Sequence, residues 1–368
     1  MKQNLVVGAG FSGAVIARLV AEQFDEQVLV IDKKEHIAGN SYDYTDENGI
    51  KIHKYGSHIF HTNDEKVWSF IRRFTDFNTY MHKVVAVIDG IETTIPFNIN
   101  TLYDVFPKSL AARLEEKLLK AFEYNKKVPI LEFQKQADND LKFLANYVYE
   151  KVFLHYTNKQ WGNSPDEVDS AVTARVPVYI SCDDRYFQDK YQGIPTGGYT
   201  KVVERILKHK NISVKLNTDY KDLSGHFDRI FYTGPIDEFF DYKYGELPYR
   251  SVNFKLETHN HEHYQSNAVV NYPCNYDFTR IHEYKYYLND ISNKTVIAKE
   301  YSEAFENGKN ERYYPIPKPE NAELYNKYLE DAKRLDNVYF LGRLGDYKYY
   351  NMDQAITRAI NLFEEICK

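Results

Sequence analysis

Gly8, Gly10 and Gly13 are followed by an acid, Asp32, 19 residues past the last glycine. The apolar residues Leu5 to Val7 precede the glycines, and the apolar stretch Ala14 to Val20 follows them. A second apolar run, Val28 to Ile31, leads into Asp32. Strand, tight turn, helix and acid-ended strand, in that order, are the context in which G-x-G-x-x-G binds a dinucleotide. Gly8 allows the turn, Gly10 lets the backbone approach a pyrophosphate, and Gly13 lets the helix sit close to the strand. Ser12 stands within the same turn. The phosphates are expected on the helix N-terminus, where free N–H groups favour negative charge, and Asp32 on the adenosine ribose. The bland alternative is a glycine-rich βαβ turn with no ligand.

A second kind of chemistry is spread over several short segments. Tyr156-Thr157-Asn158-Lys159-Gln160-Trp161-Gly162 offers flat faces, Tyr156 and Trp161, on which a base or sugar can stack. A buried Trp anchoring a helix is its structural alternative. Arg175, Tyr186, Asn271, Arg280, Arg312-Tyr313-Tyr314 and Arg343 with Tyr349 supply guanidinium groups and neutral hydroxyl donors. Together these are suited to a diphosphate: permanent charge, fork geometry and uncharged donors. Singly, each has a structural reading; Arg280 and Glu283, for instance, could form an ion pair.

Two histidine groups raise the question of a metal. In Tyr55-Gly56-Ser57-His58-Ile59-Phe60-His61-Thr62 the two histidines lack metalloprotease spacing and have no acid between them. A loop beside a cofactor ring is the preferred reading. His259, His261 and His263 alternate and could share a strand face, but a solvated edge is the simpler account. No metal is expected.

The elements that must position these residues are legible in outline. Asp64 to Phe74 is amphipathic. Val84 to Ile88 and Glu92 to Phe97 flank Asp89-Gly90, a hairpin turn. From Leu102 to Tyr149 the pattern is helical, with Leu110, Leu114, Leu118 and Phe122 at spacing four. Ile194 to Tyr199 precedes a helix over Val202 to Leu207, with strands expected over Ile212 to Leu216 and Arg229 to Thr233. Residues 250–301 alternate as an antiparallel sheet. The last helix buries Ala355, Ile356, Ala359, Ile360, Phe363 and Ile366. The two ends of the chain therefore read as one nucleotide-binding domain with the middle inserted.

Composition narrows the class. The chain has 368 residues, enough for two or three domains with a sizeable core. A net charge of −6 argues against a nucleic-acid partner. No apolar run approaches the ~20 residues of a membrane span. The strand begins almost at Met1, which leaves no room for a signal peptide. Three scattered cysteines suit a reducing cytoplasm. The 33 tyrosines largely reflect compositional drift, so only those inside motifs are assigned roles.

The run Lys33-Lys34-Glu35-His36-Ile37-Ala38-Gly39-Asn40 after Asp32 resembles the R-x-x-x-G-G run of flavoenzymes of the glutathione-reductase type, with Ala38 where a second glycine is common. This favours FAD over NAD. Taken with VGAGFSG, YGSHIFHT, YTNKQWG, the Arg175 segment, PTGGYT, FTRIHE, YYPIP and FLGRLGDYKYYNMD, the chain resembles the prokaryotic UDP-galactopyranose mutase family over nearly its whole length. The resemblance implies an α/β protein. It would have a Rossmann-like FAD-binding domain (1–76, 193–238 and 315–368), a helical domain with a mobile substrate loop (100–178) and an antiparallel β-sheet domain (77–99, 179–192 and 239–314).

It also implies roles. Tyr156, Thr157, Trp161 and Tyr186 would surround the uridine, with Asn271 a further contact. Arg175, on a closing loop, would meet Arg280, Tyr314 and Tyr349 at the diphosphate. Arg175, Arg280 and His61 would be the catalytic side chains. Gly8, Gly10, Ser12, Gly13, Asp32, Lys33, Gly39, Asn40, His58, Ile59, Arg343, Met352 and Asp353 would hold FAD. The implied reaction is a pyranose–furanose interconversion of a nucleotide sugar without net redox, with N5 of reduced FAD forming an adduct at the anomeric carbon. NAD(P)H or another reductant would prime the flavin, and the protein would be a homodimer. Asn351-Met352-Asp353 departs from the family's D-M-D, which leaves an N-acetylated or dTDP-linked 6-deoxy sugar open. A flavin oxidoreductase resembling the amine-oxidase group, and a non-catalytic nucleotide-sugar binder, are the rival readings.

Overall fold

A computed structural model describes residues 2–162, 164–165 and 176–368 of the chain. The expected opening is present as strand β1 (Gln3–Val7), helix α1 (Phe11–Gln23) and strand β2 (Gln27–Ile31). They belong to a five-stranded, wholly parallel sheet whose order is Ile212–Lys215, β2, β1, Arg229–Tyr232, Val338–Phe340. Strands from the start, middle and end of the chain thus build one Rossmann-like layer. Helix α1 is apolar on nearly every side, with Ala14, Val15, Ile16, Ala17, Val20 and Ala21 buried. The helix Tyr199–Leu207 and the C-terminal helix Met352–Ile366 share its core, through Val203, Ile206, Ile356 and Phe363. An all-round apolar helix is stable in water only when covered in this way.

The second layer is a seven-stranded sheet in the order Tyr314–Pro315, Tyr249–His259, Thr295–Ala304, Arg280–Glu283, Val269–Asn271, Val84–Ile88, Ile91–Ile95. The anticipated hairpin turns at Asp89 and Gly90, both with positive φ. The sheet is antiparallel except where Val269–Asn271 runs parallel to Val84–Ile88. That exception was not legible, because a parallel pair joins strands far apart in sequence.

The helical insert packs against the Val84–Ile88 and Ile91–Ile95 edge of the seven-stranded sheet. It comprises Ile99–Val105, Lys108–Ala121, Ile130–Phe133 and Asn139–Val148, then a π-helical turn, Tyr149–Leu154, running into His155–Trp161. Leu114, Leu118 and Phe122 are buried, as the four-residue spacing requires, and pack with Leu141 and Leu144.

Two histidines are buried without a compensating anion. Burial, with the nearby His282, pushes His53 down to about 3, and burial with the nearby Arg280 does the same to His82. Both are therefore neutral when folded and protonate near 6.5 when unfolded. The unfolded state binds the extra protons, so their contribution is complete above about pH 6.5 and is lost as pH falls toward 3. Urea unfolding against pH should show stability falling below about pH 6.5 by up to ~1.4 kcal/mol per pH unit for each histidine. His53→Gln should reduce that slope; an unchanged slope would contradict the assignment.

Candidate active site

The glycine turn works by close approach. Gly8 has φ +103°, and a Cβ there would lie 2.0 Å from Thr233 Oγ1. The backbone of Gly10 faces that of Gly39, where a Cβ would come within 3.2 Å of Gly10 Cα. Ala38 adopts φ +72°, which explains why a glycine suits that position. The N-terminus of α1 has no side-chain cap and no acid in its first turn, so its N–H groups are left for a ligand. Asp32 accepts from Ala9 N–H at 2.8 Å and Lys34 N–H at 2.9 Å, which aims its carboxylate along the turn.

These residues line a cavity of about 630 Å³, within the usual range for a cofactor site. Gly8, Gly10, Ser12, Gly13, Asp32, Lys33, Gly39, Asn40, His58, Arg343 and Met352 all lie on its wall. Ile59 and Asp353 do not. Ile59 turns toward the apolar cluster around Ile50 and Ile52. Asp353 is turned toward Thr62 and His61; burial raises its pKa, and its Oδ1 has no hydrogen-bond partner. Lys34, Thr218 and Glu238, to which the sequence assigns no role, line the same wall, as does Arg312, which the sequence groups with the diphosphate-binding residues. Lys34 sits 4.2 Å over the Tyr55 ring and 3.2 Å from Glu311. The adjacent Lys33 carried the same charge, so sequence alone did not separate them. Uncapped amides, a cradle that a Cβ would fill, and an acid at one wall fit an adenine dinucleotide such as FAD.

A second cavity, about 80 Å³, is lined by Tyr156, Thr157, Trp161, Tyr186 and Asn271, together with Val152, Phe153, Gln160 and Pro273. Asn271 Oδ1 is buried there without a hydrogen-bond partner. A buried acceptor left unpaired costs ~1–3 kcal/mol, so it is consistent with a ligand donor.

An aromatic series joins the cavities. Trp161 lies 6.0 Å from Tyr314, Tyr314 stacks on Tyr349 at 5.2 Å, and the Arg343 guanidinium sits 4.9 Å over the Tyr349 ring. Arg343 is held by Tyr313 O at 3.1 Å and Tyr350 O at 2.6 Å. Burial raises the pKa of both Tyr156 and Tyr314, keeping each a neutral donor.

Arg280 completes the site, and sheet register places it. Asn271 pairs with Arg280, and Arg280 pairs with Glu300. Directly opposed residues share a face, so the three side chains stand in one row. Arg280 Nε donates to Glu300 Oε2 at 2.8 Å. His282 Nε2 meets the same oxygen at 2.8 Å, and Thr279 Oγ1 donates to Oε1 at 3.1 Å. Burial alone would raise Glu300; the Arg280 charge and His282 outweigh it and hold Glu300 at about 2. His282 Nδ1 continues to Ser57 Oγ at 2.5 Å, and Tyr287 donates to the same hydroxyl. Ser57, in the loop that carries His58, is thus tied to the arginine row.

Several expectations are corrected. Glu283 is not the partner of Arg280; it faces the opposite side and accepts from Tyr264 and Gln265 N–H, both at 2.9 Å. His61 lines neither cavity. Its ring stacks on Phe187 at 3.7 Å and its Nδ1 is held 2.9 Å from Asp189. Asn351 heads the C-terminal helix, its N–H bonded to Gln354 Oε1 at 2.9 Å, on the wall of the larger cavity. Among the described residues no group of three possible metal ligands occurs; His263 instead lies 3.5 Å from Glu283. Arg175 lies outside the described residues.

Comparison with known proteins agrees with this geometry. The family model for UDP-galactopyranose mutase matches residues 151–349, more than half of the chain. The chain belongs to the UDP-galactopyranose mutase family. A model for the NAD(P)-binding Rossmann-like domain matches residues 6–74. A probable UDP-galactopyranose mutase of Klebsiella pneumoniae is 39% identical over 99% of this chain and 94% of its own length. A dTDP-fucopyranose mutase of Escherichia coli is 36% identical over 98% of this chain and 97% of its own. The crystal structure of a reduced UDP-galactopyranose mutase has the same fold, with TM-score 0.70 at 15% identity, covering 100% of this chain and 94% of that one. Membership makes the protein a nucleotide-sugar mutase of a flavin-dependent family.

The arginine row has a stability consequence. Glu300→Ala should cost about 2 kcal/mol in urea unfolding, because a charged hydrogen-bond set loses its common acceptor and Arg280 is left short of a counter-charge. A loss below about 0.5 kcal/mol would mean that Arg280 is anchored elsewhere.

Proposed function

We propose that the protein interconverts UDP-galactopyranose and UDP-galactofuranose, with FAD in the larger cavity and the nucleotide in the smaller. The observation that carries this reading is the bridge between the two cavities: Trp161, Tyr314, Tyr349 and Arg343 in series, with Arg280 beside them. A diphosphate laid along that bridge meets guanidinium charge and neutral phenols. Its sugar is then directed toward the cofactor.

Tyr156 and Trp161 offer faces to the base, and Asn271 offers its unpaired acceptor. Arg280, oriented by Glu300, stabilises the charge on a departing UDP and keeps the leaving group near for its return. Arg175 would add a second positive charge to the diphosphate. Burial and the nearby His53 push His58 down to about 3, so it borders the cofactor as a neutral ring. The chemistry that a bound, reduced flavin supplies here is donation of an electron pair to the anomeric carbon, with no net oxidation. The remaining work is binding, orientation and charge stabilisation. NAD(P)H or another reductant is needed only to prime the site, and the working form is a homodimer.

A second substrate reading has its own support. Identity to the dTDP-fucopyranose mutase nearly equals that to the galactopyranose relative, 36% against 39%. The deciding assay is anaerobic. Dithionite-reduced protein is given UDP-galactofuranose or dTDP-fucofuranose, with an unreduced control, and the pyranose product is followed by chromatography. Conversion of the UDP sugar only when reduced is expected. Conversion of the dTDP sugar alone would move the assignment to the 6-deoxy substrate, and conversion of neither would refute both. Arg280→Ala should lower kcat/KM at least ~30-fold, equivalent to ~2 kcal/mol of lost charge stabilisation.

A further inference from the structure

The half-buried Lys159 side chain reaches into a set of backbone oxygens. Its Nζ donates to Phe278 O at 3.1 Å, Asn275 O at 3.2 Å and Tyr276 O at 3.4 Å, and also to Tyr272 O. No carboxylate pairs with it among the described residues. The four carbonyls belong to one irregular turn, residues 272–278, whose Tyr272, Tyr276 and Phe278 rings pack on one another. The lysine belongs to the helix His155–Trp161, whose end is held by Arg250 Nε on Gln160 O at 2.9 Å.

These two segments both line the smaller cavity. The helix contributes Tyr156, Thr157, Gln160 and Trp161; the strand and turn contribute Asn271 and Pro273. An ammonium bonded to several carbonyls of one turn is a stronger tie than a single neutral hydrogen bond.

We propose that Lys159 is a positioning residue that fixes the separation of the two segments and so holds Asn271 and Pro273 in register with the stacking faces of Tyr156 and Trp161. The assignment of this cavity to the nucleotide rests on the mutase reading; the clamp itself does not. Burial lowers Lys159 to about 8, against a weak opposing pull from Cys274 and Asp277. The charged and titratable groups around it are Cys274, Asp277, Tyr272 and Tyr276 on the turn and Arg250 from the adjoining strand. Lys151, with Asp89 and Glu150, lies behind Cys274. A neutral amine has one N–H fewer and turns a lone pair toward carbonyl oxygens. The clamp should therefore loosen as pH rises through about 8.

The test is UDP binding by calorimetry to the full-length flavoprotein at about pH 7 and about pH 9, with amide exchange of residues 272–278 measured in parallel. In the native protein the Kd for UDP should rise about tenfold between these pH values. Lys159→Arg, which stays charged, should bind with little pH dependence. Lys159→Met should bind about tenfold more weakly at both, with faster exchange in the turn. Native binding that does not change with pH, or Lys159→Met within twofold of native with unchanged exchange, would overturn the clamp. If Lys159→Met does not fold, the native and Lys159→Arg pH series decide. If the native protein binds no UDP at all, the mutase reading fails; the clamp then stands or falls on whether protection of the turn, measured as exchange relative to the intrinsic base-catalysed rate, drops above pH ~8 in the native protein but not in Lys159→Arg.

Discussion

A carboxylate buried in a sheet governs much of this site. Glu300 is 2% exposed, yet it remains ionised because Arg280, His282 and Thr279 all converge on it. Removing any one would leave part of a buried charge uncompensated, which proteins rarely tolerate. The row Asn271–Arg280–Glu300 is therefore rigid, and it can present a guanidinium at a site a quarter open to solvent. A mobile arginine would spend side-chain entropy each time it met a phosphate. This one is already in place.

The two cavities solve different problems by different means. The larger relies on absence: glycines that let backbones meet, and a helix end with no cap. Its wall carries helix N–H groups with no cap and an acid aimed by two amides. The smaller relies on presence, with aromatic faces and one unpaired amide oxygen. Between them the tyrosines remain neutral because burial disfavours the phenolate. They stay uncharged hydrogen-bond donors, while Arg280 and Arg343 carry the positive charge.

The loop around His58 links the two halves. Ser57 bonds His282, and the Tyr199 hydroxyl donates to His58 O at 2.9 Å. The Tyr199 helix packs on α1 within the parallel layer. A displacement of the arginine row would thus be felt at the cofactor wall through bonds rather than through loose packing. Interiors packed at crystal-like density transmit such shifts.

Local pattern alone determined the opening βαβ unit, the Asp89-Gly90 hairpin and the leucine-spaced insert. It also placed Gly8, Gly10, Gly13 and Asp32 on the wall of the larger cavity, because turn and glycine spacing are properties of neighbours in sequence, whereas His58, Arg343 and Met352 on that wall came from the family resemblance. Motif content pointed to Tyr156, Trp161, Asn271, Arg280 and Arg343 as well. Tertiary structure alone decided which charges meet. Glu283, three residues from Arg280, faces away because strand neighbours at odd spacing alternate faces, whereas Glu300, twenty residues on, is brought opposite by register. His61 looked like a site residue by proximity to His58, yet pairing with Gln192 on the next strand turns it toward Asp189 and Phe187. Lys159 carried no reading of its own within the Tyr156–Gly162 segment, and only the fold brought four carbonyls to it. Contacts across a sheet or between a helix and a distant turn depend on register and packing, and those are settled only when the whole chain closes on its cores.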